Sequence, residues 1–217
     1  SCGTPQVLTG KFPEAVETWL KDQSFDLVVK QSLPCDGEFG HASKGDLRLS
    51  RHVSTPILLL HADSRSHSPI LVAVPPIFQD ESGLGRAARI VQNGYQWSQI
   101  LGGAVHFVHA WELFGESFLR SRETKEELNS ELATAKDNAE QELQKAIAAA
   151  KLPGEFSYHT HVLKGDPTRV LLAHVELQKP SLVVMGSVAN EGVKGLLLGN
   201  TAETIVRRKL TNTLIVK

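Results

Sequence analysis

Six short runs of branched apolar residues punctuate this chain: Leu27 to Val29, Ile57 to Leu60, Ile70 to Val74, Val105 to Val108, Leu182 to Met185 and Leu214 to Val216. Most are apolar at every position rather than at alternate ones, and Gly, Pro or polar residues bound them. Such runs read as strands buried on both faces, the pattern of a parallel sheet covered by helices. Helical stretches lie between them. Gly85 to Leu101 places Ala88, Val91, Tyr95 and Ile100 near one face. Glu123 to Leu152 repeats Leu128, Leu132, Ala135, Ala139, Leu143 and Ile147 at three- and four-residue spacing, with charges elsewhere. That stripe is narrow and short for a coiled coil, and it suits a helix lying on a sheet.

Strands alternating with helices imply right-handed crossovers and a parallel sheet. From residue 68 the order is strand, helix, strand, helix, strand (Tyr158 to Leu163), helix (Thr168 to Leu177), strand, helix, strand. The expectation is one complete, doubly wound α/β domain of five parallel strands over residues 68–217.

The front of the chain repeats its back. Val7-Leu8-Thr9-Gly10 matches Val162-Leu163-Lys164-Gly165, and Leu27-Val28-Val29 matches Leu182-Val183-Val184, both at an offset of 155. Leu49 to Val53 faces Val206 to Leu210 at an offset of 157. Residues 1–62 therefore read as the C-terminal half of a first copy, from its third strand to its fifth. In the strand order 3-2-1-4-5, strand 3 reaches strand 4 only through strands 2 and 1. A half-copy leaves its third strand without a neighbour, so the sequence reads as a fragment of a longer tandem protein, or as half of a domain completed by another chain.

Composition narrows the function. The 217 residues carry 23 basic and 24 acidic side chains, for a formal net charge of −1, and no basic stripe suggests a nucleic-acid surface. Cys2 and Cys35 both lie in the half-copy, which excludes a disulfide framework from the complete domain. No apolar run is long enough to span a bilayer, and no secretory signal is visible. A soluble, cytoplasmic protein without a membrane partner is the expectation.

The chemistry concentrates after the fourth strand, from Met185 to Glu203. A glycine at a strand end, Gly186, lets the backbone turn and approach a ligand. Gly199-Asn200-Thr201 opens the last helix, with Asn200 expected as N-cap and Glu203 as its capping-box partner. The amides of such a helix start bind anions, phosphate included. The cleft between Val74 and Gly186 is the topological switch point, where ligands of such sheets sit.

Residues 182–217, LVVMGS-VANEGVKGLLLGNTAE-TIVRRKLTNTLIVK, resemble the C-terminal signature of the universal stress protein family, and HVLKGDPTRVLL at 161–172 resembles its third strand and turn. The GNTAE wording and the duplication resemble the family's tandem-domain, UspE-like branch. The resemblance implies a Rossmann-like sheet of the flavodoxin and adenine-nucleotide-hydrolase type, order 3-2-1-4-5. It also implies a pocket at Val74, Met185, Gly186, Ser187, Gly199, Asn200 and Thr201, with ATP as the candidate cofactor. Nucleotide-binding members carry G-x2-G-x9-G-[ST]. Here Ala189 replaces the second glycine, Asn200 replaces the hydroxyl residue, and Pro75-Pro76 follow the first strand where those members place an aspartate. In the half-copy Gln31 stands at the position of Gly186.

In the family, domains pair across their last strands. Ile57 to Leu60 and Leu214 to Val216 are therefore the expected surfaces of self-association, as a homodimer or as a pseudo-dimer within one chain. The resemblance implies a non-enzymatic stress-response factor acting through a small ligand or a partner. The alternatives are an ATP-binding switch and a nucleotide-hydrolysing enzyme.

Other constellations are weaker. Neither a G-x-S-x-G elbow nor a P-loop is present, so no catalytic residue is expected. His159 and His161 share one strand face, while His106 and His109 lie on or near another strand. Zinc needs three or four converging ligands, so these histidines read as polar surface and no metal is expected. Trp111 and Phe114 read as a cover over the sheet end.

Overall fold

A computed structural model of the chain describes residues 5–21, 25–31, 44–61, 68–77, 81–122, 124–187 and 198–217. Its centre is a seven-stranded sheet: β1 (Val28–Gln31), β2 (Ile57–Leu60), β3 (Ile70–Ala73), β4 (Val105–Trp111), β5 (Tyr158–Lys164), β6 (Leu182–Gly186) and β7 (Asn212–Val216). Their spatial order is β1-β2-β7-β6-β3-β4-β5. From β3 to β7 the order is 3-2-1-4-5 and every pair is parallel. The expected doubly wound domain is present.

The join between β2 and β7 is antiparallel, with Ile57 opposite Ile215, Leu58 opposite Leu214 and Leu59 opposite Thr213. All six of these residues are buried. Beyond the join, β1 runs parallel to β2 and forms one edge of the sheet.

Among the described residues there are seven helices: α1 (Glu14–Lys21), α2 (Lys44–His52), α3 (Glu81–Leu101), α4 (Glu116–Arg122), α5 (Lys125–Ala149), α6 (Pro167–Gln178) and α7 (Asn200–Arg208). Alternate strand residues point to opposite faces. Val72, Phe107, Val184 and Leu214 pack under α3 and α5, while Leu71, Val108, Met185 and Ile215 pack with residues of α2, α6 and α7. Both faces are therefore apolar, which explains the continuous runs in the sequence. Among the described residues no helix is long and apolar enough to cross a membrane.

Local chemistry fixes the helix starts. Thr124 caps α5 in a reciprocal box with Glu127, and Asp166 accepts from the Arg169 amide ahead of Pro167 at the first turn of α6. Lys179, at φ 46°, ends α6 in the left-handed conformation, and Pro180 prevents its continuation.

Some expectations are corrected. Residues 5–10 form no strand, and Val7 is 92% exposed, because no neighbouring strand exists to satisfy its backbone. The short helix α4 follows β4 where a cover over the sheet end was expected. Phe114, just before it, is 98% exposed and covers nothing. The α7 cap also differs: Gly199 is the N-cap, with no side-chain cap bond, and Asn200 is the first helical residue. With Gly199 as N-cap, Glu203 lies one position past the capping-box site, and its carboxylate accepts from Arg51 and Arg207 instead.

Candidate functional site

The strands β3 and β6 are neighbours, yet β3 leads into α3 on one face and β6 into α7 on the other. Their diverging connections open a crevice at the C-terminal strand ends. A cavity of about 200 Å³ occupies it. Val74, Met185, Gly186, Ser187, Gly199, Asn200 and Thr201 all line this cavity. So the fold brings every residue of the expected pocket together. Ala189 lies outside the described residues.

Backbone bonds hold the rim. The Ser187 amide donates to Val216 O at 3.0 Å, and the Gly199 amide donates to Ser187 O at 2.6 Å. The chain thus leaves β6 and enters α7 at one tied point. Glu203 N bonds Gly199 O at 2.8 Å, the first intrahelical bond of α7. The amides of Asn200, Thr201 and Ala202 precede it, so they have no intrahelical acceptor, and among the described residues no side chain caps them. They form a site of partial positive charge on the cavity wall.

The opposite wall is apolar. Ala73, Pro75, Pro76, Val108, Ala110 and Leu171 contribute to it, and among the described lining residues there is no carboxylate, imidazole or ammonium. Proline fixes the chain after β3 and removes donors there. His109, expected at the surface, is instead 2% exposed beneath this turn. Its Nδ1 lies 3.0 Å from Val74 O; a carbonyl only accepts, so Nδ1 donates. Glu142 of α5 accepts from the Ile77 amide at 3.2 Å, which ties the chain after the prolines to the helix layer.

Sequence reasoning missed the contribution of α6. Pro167 and Leu171 line the cavity, and the Thr168 and Thr201 hydroxyls lie 2.9 Å apart, linking the starts of α6 and α7. The Asp166-Pro167-Thr168 run signals a helix start, but nothing local reveals that this start faces the one at Asn200. In the front half an ion pair stands at the end of β1. Lys30, next to Gln31 at the end of β1, pairs with the fully buried Asp46 of α2 at 2.5 Å.

The universal stress protein family profile matches residues 66–217. The chain belongs to the universal stress protein family. A universal stress protein of Methanocaldococcus jannaschii is 33% identical over 91 residues, covering 42% of this chain and 52% of that protein. The universal stress protein E homolog of Haemophilus influenzae is 37% identical over 59 residues, or 27% of this chain and 19% of that one. The chain thus spans about half or less of the curated relatives it matches. Among solved structures, a universal stress protein of Pseudomonas aeruginosa UCBPP-PA14 superposes with a TM-score of 0.64 at 19% identity. That match covers 94% of this chain and 66% of the other, and it supports the fold across the front half as well.

Proposed function

We propose that this universal stress protein is a non-enzymatic stress-response factor that binds a small anionic ligand in the β3–β6 crevice. The uncapped first turn of α7 carries this reading: Asn200, Thr201 and Ala202 line the cavity and offer their amides to an anion. An adenine nucleotide is the first ligand to test, because the nucleotide-binding members that the chain resembles hold phosphates at the positions of Gly186 and Gly199. Pro75 and the apolar wall favour recognition by shape and phosphate rather than by a carboxylate on the base. The described lining residues supply hydroxyls and amides but no general base, which favours binding over hydrolysis. The β2–β7 pairing lies inside the chain, and this favours a pseudo-dimer within one chain over a homodimer through the same strands.

Calorimetric titration with ATP is expected to give saturable heat that disappears in Thr201→Glu, whose carboxylate would enter the anion site. No heat at millimolar ATP would reject a nucleotide ligand. Recovery of unchanged ATP after incubation supports the binding role, whereas steady release of phosphate by the wild type would favour the enzyme.

A further inference from the structure

Three histidines from three separate elements converge one layer below the crevice, on the α6 side of the sheet. His106 is on β4, His161 on the neighbouring edge strand β5, and His174 on α6. His106 Nδ1 and His161 Nε2 are 3.0 Å apart, and one ring nitrogen from each of the three lies within 4.8 Å of the others. The His161 and His174 ring centroids are separated by 4.7 Å. Val108 and Leu171, two residues after His106 and three before His174, stand between this cluster and the ligand cavity.

We propose that His106, His161 and His174 bind a divalent transition-metal ion, with zinc as the reference case. Tetrahedral zinc with bonds of about 2.0–2.1 Å holds its nitrogen ligands about 3.4 Å apart. The cluster brackets that spacing, so ring rotations of the order of 1 Å complete the triangle. His174 supplies an independent observation. It is 8% exposed, and its Nε2 has no hydrogen-bond partner. A buried imidazole nitrogen left unpaired is costly, and a metal ion aimed at it removes the cost. Burial, and then repulsion from the other histidines, keeps all three imidazoles below their ordinary pKa, His106 down to about 4. They are therefore neutral at pH 7, as ligands must be.

The donor set selects the ion. Three imidazoles without a carboxylate or thiolate suit zinc, copper(II) or nickel(II) and are poor ligands for magnesium or calcium. A fourth position stays open to water, or to His159, whose ring lies 4.8 Å from that of His106. The bound ion would staple α6 to the edge of the sheet.

The test uses the full chain with Cys2→Ser and Cys35→Ser, so that thiols do not compete, after chelator treatment and dialysis. Zinc chloride is titrated against a chromophoric chelator, and cobalt(II) uptake is followed by its visible absorption. One zinc per chain is expected, together with the intense absorption of tetrahedral cobalt and a zinc-dependent rise in melting temperature. His174→Asn and His161→Gln, each checked for wild-type circular dichroism, should each weaken zinc at least about tenfold. Full-strength zinc binding in both folded variants overturns the proposal. So does the absence of zinc uptake by the folded parent, or octahedral cobalt alone.

Discussion

Lys217 shows how one side chain ties the two parts of the sheet together and records its burial. Its Nζ donates to the Ser50 carbonyl of α2, across the β2–β7 join. Burial lowers its pKa from 10.5 to about 8. The unfolded chain therefore keeps this proton up to about pH 10.5, whereas the folded chain releases it near 8. Between those values the unfolded state binds more protons, so stability should climb with pH. Below pH 8 both states are charged and the burial penalty is constant. Urea melts from pH 8 to 10 should show this climb in the wild type and a smaller one in Lys217→Met. Parallel profiles for the two proteins would contradict it. Glu203 is the complementary case, since hydrogen bonds from Arg207 and then Arg51 hold its carboxyl below the usual range. Asn200 and Glu203 read as a capping pair because the sequence shows only their spacing. In the fold the helix starts at Asn200 itself, and the Glu203 carboxylate pairs with Arg51, 152 residues away.

Helix α3 separates intrinsic propensity from packing, because two of its three glycines, Gly85 and Gly94, lie in different surroundings. Gly85 is exposed, and a Cβ there meets nothing within 4 Å. Gly94 is buried against β3, and its added Cβ would overlap Val72 Cγ2. Gly85→Ala should therefore stabilise the protein by about 0.5–1 kcal/mol, the backbone-entropy gain of alanine over glycine in a helix. Gly94→Ala should destabilise it by about 1–3 kcal/mol, because Val72 is fully buried and overpacking forces the strand and helix apart. Denaturant midpoints decide: equal shifts of the same sign in both variants would show that α3 does not pack on β3 through Gly94. The helix itself is legible from its apolar spacing. The opposite signs at two identical residues are not, because they depend on what lies across the layer.

At the scale of the whole molecule, the seven strands form one continuous sheet, and the β2–β7 pair joins its two parts. Residues at this joint are buried on both faces, so opening β2 exposes Ile57, Leu59 and Ile215 together. Native-state hydrogen exchange should place the amides of β2 and β7 in one cooperative unit of similar protection. Amides at 5–10, which belong to no strand, should exchange at loop rates. Exchange of β2 at those same rates, with β7 still protected, would mean that the front segment opens independently.

The sequence by itself determined the βαβ alternation, the location of the crevice and its lining by Met185, Gly186, Ser187, Gly199, Asn200 and Thr201. These follow from local signals: continuous apolar runs, glycine at a strand end, and a helix start. Tertiary structure decided what depends on residues far apart in the chain. The cap of α7 is Gly199 while Glu203 pairs with Arg51, and His109 lies inside with its hydrogen accepted by the Val74 carbonyl. The α6 contribution to the cavity, the Lys30–Asp46 ion pair and the convergence of His106, His161 and His174 were equally invisible. Strand pairing and helix docking bring such residues within bonding distance, and spacing along one strand or helix carries no record of what the next layer presents.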